Sequence, residues 1–389
     1  MQLTKADSVC IFDTTLRDGE QGAGSSMSAK DRLKIALMLD SAGIDIIEAG
    51  FPIASRGVYD SVYEIAAATK HARICALARG SYKDIDEAVS SLKPASDRSR
   101  IHVFIATDKD HMALKLRQKP ERVLENIGNF VAYARRFVDD VEFSPEVATT
   151  SEPNFMYQAI DIAIQAGAKT INIPDTTGYA LPHEYAQLIV GVVAHIKKYK
   201  RVVVSVHCHD DRGLATANAL EGIRGGARQV ECTINGLGER AGNTSLEEVV
   251  MALSLRPDVY GCRHGVDTTK LVALSKCVAE ASGILVAPNK AFVGRNAFAH
   301  ESGIHQAGVI ASSSLYEICD PEVVGACRSL PIGKLSGKAG LKSVLEGMGY
   351  SELSPVLIER LYEQTMLLAD QSGSLTESDL RAIVRGVKG

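Results

Sequence analysis

Long apolar runs, paired cysteine spacings and an excess of either charge are all missing from this chain, and each absence removes a class of protein. No stretch of the 389 residues approaches the roughly 20 consecutive apolar positions a membrane-spanning helix needs. The amino-terminal text MQLTKADSVCIFD lacks an apolar core behind a basic start, so no export signal is expected. The eight cysteines stand at 10, 75, 208, 232, 262, 277, 319 and 327 without any CxxC pair, and are expected to be reduced thiols of a cytoplasmic protein. Lys and Arg number 43 against 47 Asp and Glu, a formal charge of −4, so neither nucleic acid nor an anionic membrane is an expected partner. Low-complexity tracts are absent too. With 46% hydrophobic and 23% charged residues, the composition is that of an ordinary globular protein.

What is present is a rhythm. Short apolar, β-branched runs at 9–13, 44–51, 73–79, 100–107, 141–146, 170–176, 202–210 and 229–236 alternate with amphipathic stretches. Those stretches occupy 29–42, 59–69, 83–92, 121–138, 154–166, 183–199, 215–224 and 246–255. Strands apolar on both faces are strands covered by helices. Eight such units in series, with no hairpins between them, predict a closed (β/α)8 TIM barrel over 1–257. Ser28, Pro120 and Pro182 mark helix starts, and Gly43 and Gly167 mark helix ends. After Pro257 the rhythm stops. Helical patterns at 268–282, 340–349, 356–369 and 377–387 predict a helical accessory region over 258–389.

Chemistry in such a barrel stands at the carboxyl ends of the strands. Reading those positions collects Asp13, Arg17, Asp18, Glu48, Arg79, His102, Ser144, Glu146, Asp175 and Thr176. His207 and His209 come from the seventh strand, and Glu239, Arg240 and Asn243 from beyond the eighth. Polar residues this dense at one end of an apolar barrel are hard to explain as packing. His207 and His209, two apart on a strand, point to one face and suit a divalent metal. Ten histidines in 389 residues give about 0.26 such pairs by chance, so the pair gains its meaning from its place at a strand end. DTTLRDGEQ (13–21) reads either as a solvated turn or as a site loop whose Arg17 fork meets an enolate or carboxylate. NGLGERAGN (235–243) is either an ordinary turn or a loop letting backbone amides approach a phosphate. FAHESGIHQAG (298–308) reads as a loop outside the barrel, its histidines exposed or in structural contacts.

Taken together, these blocks resemble the 2-isopropylmalate synthase and homocitrate synthase group of acetyl-CoA-dependent Claisen condensation enzymes. FDTTLRDGEQ, IEAGFP, DVEFSPE, INIPDTTGY, SVHCHDDRGLATAN, TINGLGERAGN and AFAHESGIHQAG carry the likeness over roughly 8–385, and IATDKDHMALKLR points to the isopropylmalate branch. The resemblance implies a divalent metal (Mg, Mn or Zn) held by Asp18, His207, His209 and Asn243. It implies Arg17 as the charge-stabilising residue beside a 2-oxo acid, with His102, Ser144, Glu146 and Thr176 as further substrate contacts. Acetyl-CoA, the co-substrate, is assigned to Asn235, Gly236, Gly238 and Arg240. His305, delivered by the partner subunit of a homodimer, is the expected proton-transfer residue, oriented by Glu239. The implied reaction joins acetyl-CoA to 3-methyl-2-oxobutanoate through a metal-polarised keto group, then hydrolyses the thioester.

Two departures from the family text qualify that expectation. The sequence stops where a leucine-binding regulatory domain usually begins, so feedback by leucine is expected to be absent unless the chain is truncated. SPEVATTS (144–151), Thr177, Arg212 and Ala307 differ from the usual text, which leaves methylthioalkylmalate, benzylmalate, citramalate and homocitrate synthases as alternatives. Homocitrate needs a cation for its distal carboxylate, and Leu77 and Ala78 supply none. A barrel lyase or decarboxylase, and a non-catalytic metabolite-binding barrel, are the remaining readings.

Overall fold

The computed structural model describes residues 8–350 and 352–388. Eight parallel strands, β1 (Cys10–Asp13), β2 (Ile46–Gly50), β3 (Arg73–Arg79), β4 (Ser99–Ala106), β5 (Val141–Glu146), β6 (Thr170–Asp175), β7 (Val203–Cys208) and β8 (Gln229–Cys232), close in chain order. The ring is shut by β1 against β8, with Cys10 opposite Gln229 and Asp13 opposite Cys232. Each strand is followed by its helix: α1 (Ala29–Ser41), α2 (Arg56–Ala68), α3 (Tyr82–Leu92), α4 (Pro120–Arg135), α5 (Pro153–Gln165), α6 (Pro182–Ile196), α7 (Ala215–Arg224) and α8 (Leu246–Leu255). The expected (β/α)8 barrel followed by a helical region is therefore the architecture found.

The local chemistry explains the elements. Ser28 caps α1 by accepting from Asp31 N, and Pro120, Pro153 and Pro182 open their helices, where a missing N–H costs nothing. Gly43 leaves α1 at φ +80°, and a side chain there would strike Gly265 O. At the far end of α1, Asp40 accepts backbone N–H groups from Lys70, His71 and Ala72 at 2.8, 2.9 and 2.6 Å. Outward-facing strand residues such as Ile47, Ile74, Val103, Ile171 and Val206 are fully buried, as are Ile35, Leu39, Ile65 and Ile189 from the helices. Each such side chain contributes about 1.5–3 kcal/mol on burial, so this shell is the main core.

The first compact unit runs on to Val286, beyond the break expected at Pro257. Pro257 does open a short helix, α9 (Pro257–Tyr260), but α10 (Leu271–Ser282) returns to pack on α1 and on the turn at 234–236. The second unit, from Ala287, contains α11 (Gly303–Ala311), α12 (Lys338–Gly347), α13 (Pro355–Ser372) and α14 (Glu377–Lys388). Its core gathers Ile332, Leu341, Leu345, Ile358, Leu361, Leu380 and Val384. One local expectation fails here: 298–308 is not wholly loop, because α11 begins at Gly303 behind Ser302. Glycines at 303 and 308 hide that helix from a periodicity reading.

Candidate active site

The turn after β1 is built around Asp13, whose carboxylate accepts from Thr15 N and Thr15 Oγ1 at 3.0 and 2.7 Å. Burial pushes that carboxyl up to about 7. Asp13 thus shapes the turn and does not line the cavity at the barrel mouth. The turn folds Arg17 and Asp18 back over that mouth, both backbone N–H groups bonding Thr14 O. There Asp18 Oδ2 lies 3.2 Å from His207 Nε2 and 3.9 Å from His209 Nε2. The two imidazole Nε2 atoms are themselves 3.2 Å apart. All three residues are buried. Burial raises the Asp18 carboxyl, but Arg17, His207 and His209 together hold it well below the carboxylate range.

Asn243 reaches the same place by backbone pairing. His209, just past β7, and Asn243, beyond the loop that follows β8, form an antiparallel bridge. The Asn243 side chain gives Nδ2 to Leu237 O at 3.0 Å and keeps a buried Oδ1 without a partner. Gly238 makes room for it, since a Cβ there would fall on Asn243 Nδ2. Two imidazoles, a carboxylate and an unpartnered amide oxygen are a donor set suited to a divalent cation. The ligand atoms of Asp18, His207 and His209 lie within 4.8 Å of one another.

From this cluster a relay runs around the barrel wall. Arg17 Nε donates to Glu48 Oε2 at 2.6 Å, and His102 Nδ1 donates to Glu48 Oε1 at 2.9 Å. His102 Nε2 lies 2.6 Å from Ser144 Oγ, which also accepts from Asn172 Nδ2 at 2.9 Å. Burial disfavours charge on His102, but Glu48 and Glu231 raise its pKa. The cavity above, about 440 Å³, is lined by Arg17, His102, Ser144, Glu146, Thr176, His207 and His209. Apolar walls come from Leu77, Phe104 and Pro174.

The remaining expected residues have the following surroundings. Glu146 lines the cavity but is gripped by Lys115 Nζ at 2.6 and 2.9 Å. Arg79 turns away to Asp84 at 2.7 Å. Asp175 accepts from Thr149, Tyr179 N and Ala180 N, holding its loop. Asn235 is bonded both ways to Ser275, while Arg240 forks onto Asp211 and donates to Thr176 O. Gly236 O accepts from Asn243 N at 2.9 Å, closing the glycine loop. Glu239 is exposed. In the second unit, exposed His305 on α11 stacks on Tyr316 with centroids 4.2 Å apart. Thr177 and Arg212 do not line the cavity, and Arg212 lies over the Tyr179 ring. Two participants escape the sequence reading: Asn172 and Glu231, single polar residues inside apolar strands whose inward face only the register reveals.

Residues 8–278 match the HMGL-like family model, and 292–373 match the homocitrate synthase post-HMGL domain-like model. The 2-isopropylmalate synthase of Aquifex aeolicus is 50% identical over 97% of this chain and 73% of its own length. That of Methylacidiphilum infernorum is 47% identical over 99% of this chain and 76% of its own. The chain belongs to the 2-isopropylmalate synthase family. It spans about three quarters of the length of these family members. Among solved structures, the hydroxymethylglutaryl-CoA lyase of Pseudomonas aeruginosa matches 72% of the chain with a TM-score of 0.60 at 22% identity, over 95% of its own length. The Brucella melitensis HMG-CoA lyase matches 71% of the chain and 99% of its own, with a TM-score of 0.59 at 20% identity. At those identities the lyases share the family's barrel fold alone.

Proposed function

We propose that this enzyme condenses acetyl-CoA with 3-methyl-2-oxobutanoate and, consuming one water, yields 2-isopropylmalate and CoA. The observation that carries the reading is the cluster of Asp18, His207 and His209 beside Arg17, its two imidazoles lining the cavity, with Asn243 bridged to His209 through the backbone and its Oδ1 unpartnered. A divalent cation held there supplies Lewis acidity and a template for a 2-oxo acid. Arg17, fixed by Glu48 at 2.6 Å, presents its guanidinium to the negative charge that develops on oxygen as the carbon–carbon bond forms. His102, Ser144 and Thr176 orient the polar end of the acid, with Glu146 at the cavity edge. Leu77, Phe104 and Pro174 exclude water around its side chain. Arg17 is the one Lys or Arg among the cavity-lining residues, so a distal carboxylate has no further cation to meet, which favours a branched apolar acid over the precursor of homocitrate.

The glycine loop at 235–243 is assigned to acetyl-CoA, His305 to proton transfer and Glu239 to orienting it. Exposure of His305 leaves its imidazole accessible to a partner subunit, as a homodimer with shared sites requires. Mixing Asp18→Ala with His305→Ala protein then restores partial activity, and no recovery after subunit exchange rejects sharing. A cytoplasmic location fits eight free thiols and the lack, among the described residues, of any helix long and apolar enough to cross a membrane. The deciding experiment is CoA-thiol release over a panel of 2-oxo acids. Any acid preferred about tenfold over 3-methyl-2-oxobutanoate, some 1.4 kcal/mol, overturns the substrate assignment.

A further inference from the structure

We infer that Glu231 is a positioning residue that sets the tautomer and direction of His207, and through it the affinity of the metal centre. The inference rests on the proposed metal site and adds a residue to it. In the β7–β8 ladder His207 stands in register with Glu231, so both side chains face the barrel interior as direct neighbours. His207 Nδ1 lies 2.9 Å from Glu231 Oε2, while its Nε2 faces Asp18 Oδ2 at 3.2 Å. An ionised carboxylate only accepts. A carboxylate at that distance favours the proton on Nδ1, which leaves the Nε2 lone pair to be offered toward Asp18 and His209.

Glu231 is 1% exposed, neither of its oxygens makes a well-aligned hydrogen bond, and the 2.9 Å approach to His207 Nδ1 is its one ion-pair contact among the described residues. A buried charge with no other partner is costly unless the neighbouring imidazole needs it. His209 Nδ1, like His207 Nδ1, is buried without a well-aligned hydrogen bond, but it is His207 that has a carboxylate oxygen 2.9 Å behind it. Glu231 also gathers with His102 and Glu142, within 4.8 Å, but that group is no second metal site. Both His102 nitrogens are engaged by Glu48 and Ser144, and Glu142 is bound by Arg100 and Gln229.

Glu231→Gln keeps the shape but can donate to Nδ1, which favours the tautomer with its proton on Nε2. The test is a Mn²⁺ titration of chelator-stripped full-length protein, followed by electron paramagnetic resonance, with melting recorded in chelator. We expect a 10- to 100-fold weaker Mn²⁺ affinity at an unchanged melting temperature, the scale of effect usual for partners of metal-bound histidines. Glu231→Asp, which keeps the acceptor but draws it back, falls between the two and decides the matter if the Gln variant does not fold. Affinity within twofold of the parent in the folded variant overturns the inference. His207→Ala separates the two levels. If it abolishes Mn²⁺ binding while Glu231→Gln does not, only the role of Glu231 fails. If His207→Ala also binds normally, the metal reading itself fails.

Discussion

The two ends of the barrel interior both carry buried charge, yet they arrange it oppositely. At the amino end, donors meet acceptors: Arg100 reaches Glu142 and Gln229 at 2.7 Å each and Asp140 at 2.9 Å. Gln229 in turn donates to Glu142 and to Ser205 Oγ, each at 2.9 Å. At the carboxyl end, acceptors crowd acceptors: two imidazole nitrogens and a carboxylate oxygen, with the buried Asn243 amide oxygen left unpartnered. The first arrangement matches charge with charge using protein atoms alone, leaving Arg100 Nε and Asp140 Oδ1 without partners. The second is complete only with a cation or with an added proton, and burial does push His207 against charge while Glu231 and Asp18 raise it to about 10. The first kind of network stabilises the fold, whereas the second is suited to a cation from solution.

That contrast can be broken by experiment. His207→Ala is expected to lower kcat/KM by about 10³-fold, some 4 kcal/mol, with little change in melting temperature. A loss of stability without loss of turnover reverses the roles of the two ends. Arg100→Ala is expected to do the opposite. It strands buried Glu142 and Asp140, at a cost of about 3–5 kcal/mol in denaturant unfolding, while Mn²⁺ affinity of the folded fraction is unchanged. Gly238→Ala sharpens the comparison without removing a ligand. Its Cβ displaces the Asn243 side chain, and calorimetry should show roughly tenfold weaker metal binding. Asp40→Asn, outside both networks, is expected to cost about 1 kcal/mol of stability and leave the metal constant alone. Burial raises the Asp40 carboxyl, but the N–H groups of Ala72, Lys70 and His71 hold it below its ordinary value. Its contribution is therefore complete above the unfolded pKa of about 3.9 and is lost as pH falls through the lower folded value. Parent and variant melting curves should converge at low pH and separate above it.

The barrel is legible because its strands are apolar on both faces and its helices on one, so the period switches eight times in succession. The positions of Arg17, Asp18, His207 and His209 come from the same logic, as strand ends in a barrel name their own site. Other features are hidden for physical reasons. Glu231, flanked by Val230 and Cys232, looks like an interruption until β7 is laid beside it. Asp13 and Asp175 resemble site carboxylates because a residue that shapes a strand-end turn occupies the same kind of position as one that reacts. Pro257 reads as a domain break, although the chain beyond it returns to the barrel through α10. Nor can local text tell Asn235, tied to Ser275 forty residues away, from an open loop side chain.

Closure of β1 on β8 has a consequence for how the protein comes into being. Asp18 is translated early, while His207, His209 and Asn243 emerge about 190 to 225 positions later, so no chain that stops short of Asn243 can assemble all four. An ion held by Asp18, His207 and His209 would join the first stave to the seventh, and every tenfold excess over its dissociation constant would add about 1.4 kcal/mol against unfolding.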